Sequence, residues 1–167
     1  MRVAAWQWAA CLGCVVCGPL WAWTLEGRIV HVSDGDSVTL LDAQRTHHRI
    51  RLVGIDAPER DQAHGEAARD ALARTLQGRR VSARCRKTDR YGRALCSVHL
   101  GQQDIGLVLL QAGLAWHYSA YAAEQPSDEA ARYAGAQAEA RSARRGLWAE
   151  PDPLPPWRWR EQGRRGE

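Results

Sequence analysis

Three short β-like runs, Leu25 to Val32, Ser37 to Leu41 and His48 to Val53, follow one another with only a few turn-forming residues between them. A helical stretch intervenes, and two more β-like runs follow, Arg80 to Cys85 and Arg93 to Leu100. Short apolar and β-branched runs bounded by Gly, Asp and Asn-type punctuation read as strands. The order is three strands, a helix, two strands, then two helices. It suits an α+β fold that is mainly β, a five-stranded OB-type barrel with three helices appended, although pattern alone also allows other α+β arrangements.

Each helical stretch ends beside a glycine, the residue a helix C-terminus uses for a left-handed turn. In the first, Ala68, Ala71, Leu72, Thr75 and Leu76 share one face, with Gly78 beyond. Asp104 is an N-cap for a short second helix carrying Ile105, Val108, Leu109 and Ala112, and Gly113 closes it. Leu107 and Leu110 make that helix apolar nearly all round, so it belongs in the core. Ser127 opens the third, whose inner face is Ala130, Tyr133, Ala136, Ala140, Ala143 and Leu147, with Arg144 and Arg145 at its negative end and Gly146 after them.

The chain has 167 residues, room for one domain but short of two independent cores. At 45% hydrophobic and 25% charged residues it is neither disordered nor fibrous. Residues 1–22 differ from the rest. Arg2 precedes an apolar run from Val3 to Val16, then Gly18-Pro19 and a small Ala22, which reads as a signal peptide. An uncleaved anchor helix is the alternative, and Cys14 leaves lipid attachment as a further one. The expected organisation is a leader over 1–22, a domain over 23–150, and a Pro/Trp/Arg-rich tail over 151–167 that lacks order from Glu161 onward. The expected location is secreted or periplasmic. Within the tail, Trp157-Arg158-Trp159-Arg160 alternates ring and cation. It could stack on bases and contact phosphates, but the more economical reading is that the tryptophans tie the tail onto the barrel.

Cys85 and Cys96 lie symmetrically about Arg90-Tyr91, so in a hairpin they face each other across two antiparallel strands, within disulfide reach. Export favours the bridge over a pair of buried thiols.

Asp34-Gly35-Asp36-Ser37 puts two carboxylates around a glycine where two strands meet, and Asp56-Ala57-Pro58-Glu59 puts two more just after a third strand. Carboxylate and carbonyl oxygens suit calcium, whereas zinc wants His or Cys, and the six histidines have no metal-ligand spacing. Taken alone, D-G-D is an ordinary hairpin turn. Two arginines shift the balance: Arg51 sits on an otherwise apolar strand five residues before Asp56, and Arg93 follows the tight turn Asp89-Arg90-Tyr91-Gly92. Either could be a surface or ion-pair residue. Together with the acids they supply what phosphodiester hydrolysis needs: a divalent ion, cationic donors and a carboxylate. All but one of the 23 cations are arginine, Lys87 being the exception, and arginine forks match phosphate. The formal net charge of +4 is too small to decide anything by itself.

Four ordered segments resemble the motifs of the staphylococcal nuclease family: Asp34-Gly35-Asp36-Ser37, Arg51 through Glu59, Asp89 through Arg93, and Gly113-Leu114-Ala115, with Gly146-Leu147-Trp148 after the last helix. The similarity runs from about Glu26 to Trp148. It implies an OB-fold nuclease, dependent on Ca2+, that hydrolyses DNA or RNA and leaves 3′-phosphate ends. By that resemblance Asp36 and Asp56 bind the metal through side chains and Ala57 through its backbone carbonyl. Glu59 is the general base, Arg51 and Arg93 stabilise the transition state, and Asp34 and Ser37 support the metal ligands. Asp89, Arg90, Tyr91, Tyr118 and Tyr121 are candidates for substrate contact. The expected partner is nucleic acid, with no membrane for the mature chain, and the expected state a monomer. Ser37 and Ala57 stand where better-known members carry threonine; serine keeps the hydroxyl and a main-chain ligand does not need the side chain. Arg60 to Gly65 is also shorter than the corresponding loop of the best-known member. A barrel that binds nucleic acid without cutting it is the alternative function.

Overall fold

The structure is a computed structural model that describes residues 23–119 and 125–163. The proposed leader and Tyr121 lie outside the described residues. The described residues form eight strands and four α-helices: β1 (Trp23–Asp34), β2 (Ser37–Leu41), β3 (His47–Leu52), β4 (Ile55–Asp56), α1 (Gly65–Leu76), β5 (Arg80–Thr88), β6 (Ala94–Leu100), β7 (Gln103–Asp104), α2 (Ile105–Gln111), β8 (Trp116–His117), α3 (Ser127–Ser142) and α4 (Pro156–Gly163). A 3-10 turn spans Gly146–Ala149.

Five strands close into the expected barrel. β1 is long enough to serve two neighbours: its first half pairs antiparallel with β5, from Trp23↔Cys85 to Arg28↔Arg80, and its second half with β2, ending at Asp34↔Ser37. Register shifts between Ile29 and His31 and between Val32 and Asp34 bend it, as bulges do, from one partner to the other. β2 pairs with β3 and β5 with β6, and a parallel β3–β6 ladder beginning at Ile50↔Ala94 completes the ring, leaving no open edge in it. Alternation along the strands sends Ile29, Val38, Leu40, Ile50, Leu52, Ala83 and Val98 inward, all essentially inaccessible to water. Cys85 and Cys96 sit opposite each other on β5 and β6 and form a disulfide.

The helices cover the barrel. α1 lays Ala68, Leu72 and Leu76 against the core next to β1. Asp104 caps α2 by accepting from the Leu107 amide, and the same carboxylate accepts from the Tyr133 hydroxyl at 2.8 Å, fastening α3 to α2. Tyr133, Ala136 and Ala140 of α3 are buried as expected, whereas Ala143 is exposed, because α3 stops at Ser142 and the chain reverses through Arg144 at φ 51°. Leu147 is buried from the 3-10 turn instead, within a small cluster with Ala140, Trp148 and Trp116.

Against the three helices expected, the described residues form four, the addition being α4. It reaches Gly163, so Glu161–Gly163 are helical where the composition suggested no regular structure. Apolar anchoring accounts for the helix: Trp157 lies 5.6 Å from Trp116, edge-on, and stacks on Tyr118 at 5.4 Å. Two polar ties fix the segment leading into it, Gln62 Nε2 to the Leu154 carbonyl and His64 to the Glu150 carboxylate at 2.8 Å. Among the described residues no helix is long and apolar enough to cross a membrane.

Candidate active site

The β1–β2 connection is a two-residue turn, and its geometry aims an acid inward. The Asp36 amide donates to Asp34 Oδ1 at 3.1 Å, closing the turn on itself. A Cβ at Gly35 would come within 2.6 Å of the Ala57 methyl and 2.7 Å of the Ala68 methyl, so only glycine lets this turn press against the β4 exit and α1. The Asp36 carboxylate is thereby buried. It accepts from the Ala57 amide at 2.8 Å and from the Ser37 hydroxyl at 3.0 Å. Asp56, 1% exposed, is delivered by β4.

Between the two acids lies Arg51. Its register position opposite Ser37 on the β2–β3 ladder brings it beside the turn, and its guanidinium pairs with Asp36 Oδ2 and, at 2.7 Å, with Asp56 Oδ1. Acids from two separated stretches of chain therefore meet around one cationic group. Burial pushes the Asp36 carboxyl up to about 6, with Arg51 pulling it down and the neighbouring Asp34 carboxylate adding to the rise. Burial also works against the charge on Arg51, but Asp36 and Asp56 outweigh it and raise its pKa, so it stays protonated.

Arg93 stands on the β5–β6 side. The Asp89 carboxylate accepts from the amides of Tyr91 (2.8 Å) and Arg93 (2.9 Å) and from Arg93 Nε (2.8 Å), organising the turn and orienting the arginine together. Burial would lift the Asp89 carboxyl, but these bonds, led by the Arg93 amide, hold it below the usual range. Tyr91, 58% exposed, has the Arg90 and Arg93 guanidinium groups 4.9 and 5.5 Å from its ring centre.

Asp34, Asp36, Arg51, Asp56, Ala57, Glu59, Asp89, Arg90, Tyr91, Arg93 and Tyr118 all line one open cleft of about 960 Å³. Ser37 sits beneath Asp36, and the Cys85–Cys96 bridge lies in the barrel wall. The two arginines are not a matched pair here. Arg51 is engaged with the acids, and Arg93 with Asp89.

For one residue lining the cleft, the sequence offered phosphate contact or a place in an anchoring tail, not an ion pair with the site acids. Arg160, from α4, places Nη2 2.7 Å from Asp56 Oδ2 and Nη1 2.6 Å from Glu59 Oε1. The traces in the sequence are the alternating Trp157-Arg158-Trp159-Arg160 run and the spacing of Arg160 three positions after Trp157, on the same face of a helix. Nothing in that spacing says where the face docks. Arg49, which donates to the Tyr91 carbonyl at 2.8 Å, and Gln125 also line the cleft unanticipated.

The donor set at the head of the cleft is all oxygen and buried, the chemistry a hard cation such as calcium takes. Among the described residues no group of three or more His, Cys, Asp or Glu side chains is arranged to hold a metal ion by itself.

A closed five-stranded barrel with an acid- and arginine-lined cleft defines the structural class. Residues 49–150, more than half of the chain, match the family described as staphylococcal nuclease homologue, and the chain belongs to that family. It is 37% identical over 161 residues to a protein of Shigella flexneri named "Micrococcal nuclease", covering 91% of this chain and 89% of that one. An Escherichia coli O157:H7 protein named "Uncharacterized endonuclease" is 37% identical over 139 residues, covering 83% and 86% respectively. Similarity extends to "Staphylococcal-like nuclease CAN1" of Arabidopsis thaliana, 40% identical over 118 residues that cover 71% of this chain but 35% of the plant protein.

Proposed function

We propose that this chain is a calcium-dependent nuclease that hydrolyses phosphodiester bonds of DNA or RNA and leaves 3′-phosphate ends. The observation that carries the reading is the convergence of Asp36, Asp56 and Arg51 at the head of a cleft that Glu59 and Arg93 also line. Asp36 and Asp56, with the Ala57 carbonyl, are the residues to hold the ion. Calcium bound there would polarise a phosphoryl oxygen and acidify a water. The remaining work falls to the protein. Glu59, about one-third exposed at the cleft, accepts the proton of the attacking water. Arg51 and Arg93 donate to the non-bridging oxygens and stabilise the charge of the five-coordinate transition state. As the new P–O bond forms, the bond to the 5′ oxygen breaks, and that oxygen takes up a proton from solvent while Glu59 keeps the one removed from the attacking water. Asp34 and Ser37 keep the Asp36 carboxylate aimed, and Tyr91 and Tyr118 offer rings to flanking bases. Secretion or export to a periplasm rests on the composition of residues 1–22, and a disulfide suits an oxidising compartment.

The test is digestion of single-stranded DNA in calcium by the wild-type chain and by Glu59→Ala. The expected loss is roughly a hundred- to ten-thousand-fold in kcat, the range for a general base. Equal rates would remove Glu59 from the mechanism. DNA held by both proteins and cut by neither would leave a nucleic-acid-binding barrel.

A further inference from the structure

Every oxygen of Asp56 already has a guanidinium on it. Oδ1 accepts from Arg51 at 2.7 Å and from Arg160 at 3.2 Å, and Oδ2 accepts from Arg160 at 2.7 Å. Glu59 Oε1 is held by the same Arg160 at 2.6 Å. A hard cation binds through carboxylate lone pairs, and three of the roughly four on this carboxylate, 1% exposed, already take guanidinium N–H groups. Before Asp56 can ligate a metal, one of the two arginines has to give way.

The two are not equally placed to move. Arg51 is 14% exposed, lies on a strand paired on both sides, and is held by two buried acids. Arg160 is 39% exposed, on an eight-residue helix at the end of the described chain. That helix is held by buried Pro156, by Trp157 and by Arg160 itself, and the segment leading into it by ties at Leu154 and Glu150. Releasing Arg160 returns a partly solvated cation to water, whereas releasing Arg51 strands a charge inside the barrel.

We infer that Arg160 is an intramolecular counter-ion that calcium must displace, so that this residue sets how much calcium the site needs and holds Asp56 and Glu59 shut without it. The inference rests on the calcium reading of Asp36 and Asp56. In the metal-free protein the guanidinium neutralises two acids that would otherwise repel each other. Calcium competes for the same oxygens with twice the charge, and the displaced guanidinium is left at the mouth of the cleft.

Calorimetric titration of the full chain with calcium, without nucleic acid, tests this in the wild type, Arg160→Gln and Arg158→Gln. Arg158 is an exposed cation of the same helix and controls for loss of overall charge. Arg160→Gln is expected to bind calcium about tenfold more tightly than wild type, the worth of one charge-assisted hydrogen bond at the low end of its range, and Arg158→Gln to match wild type. Equal or weaker binding by Arg160→Gln overturns the inference and leaves the metal site standing, as does equal tightening in both variants. Absence of calcium binding in all three proteins overturns the metal site and the inference with it.

Discussion

Arg51 and Arg160 reach the same carboxylate from opposite kinds of structure. Arg51 comes from the barrel, where strand pairing on both sides and two buried acids fix it. Arg160 comes from a terminal helix that meets the rest of the molecule through a tryptophan contact and a few polar ties. The chemistry of the two side chains is identical, so the difference lies in what holds each backbone. A guanidinium built into a closed barrel is fixed in place, which is what the proposed catalytic role of Arg51 needs, while one on an appended helix is freer to move, as the proposed displacement of Arg160 needs.

The sharpest way to break that contrast is to keep charge and remove the fork in each. Arg51→Lys should lower kcat on single-stranded DNA roughly a hundred- to thousand-fold, as loss of a preorganised bidentate donor does, while Arg160→Lys should stay within a few-fold of wild type. Comparable losses in both would mean that α4 is as much part of the catalytic machinery as β3.

Next in size is the barrel's own rigidity. Replacing Cys85 and Cys96 together with serine removes a cross-link spanning 11 residues and should cost about 3 kcal/mol in the chain-entropy picture, seen as a lower midpoint in denaturant. Cleavage well below the transition should be unchanged, because Asp36, Asp56 and Arg51 hold one another through contacts the bridge does not make. Ending the chain after Glu150 should cost less, about 2 kcal/mol for the uncovered Trp116 and Tyr118 surfaces, and should spare kcat. Global unfolding of that truncated chain would show α4 to be core and dissolve the contrast.

The smallest effect concerns Asp89, whose carboxyl is depressed in the folded protein. A depressed carboxyl adds stability above its unfolded pKa and loses it as pH falls through the folded value. The wild type should therefore be more stable than Asp89→Asn near neutrality, the gap closing below about pH 4, where aspartate takes up its proton. A gap that persisted at lower pH would mean that the turn is held by its backbone bonds alone.

The same contrast explains what the sequence could reveal. The acids and Arg51 lie within Asp34 to Glu59, on consecutive strands, so turn chemistry and spacing bring them together almost regardless of the rest of the fold. Cys85 and Cys96 were readable for the same reason, since a hairpin pairs residues equidistant from its tip. Arg160 was not readable, because it is 104 residues from Asp56 and 101 from Glu59, and no local rule says which surface the Trp157 face covers. Ala143 followed the helical period on paper, but period alone does not mark where α3 stops. The dedication of Arg93 to Asp89 was likewise invisible, since a turn motif fixes backbone and leaves side-chain partners to packing.

The most direct measurement of the central claim is digestion of end-labelled single-stranded DNA by the wild-type chain, first with a chelator and then with calcium restored in excess. Cleavage that is absent in chelator, returns with calcium and leaves 3′-phosphate ends is the predicted result. Cutting that ignores the chelator, or fragments ending in 3′-hydroxyl, would contradict the assignment of Asp36, Asp56, Arg51 and Glu59 to one calcium-dependent site.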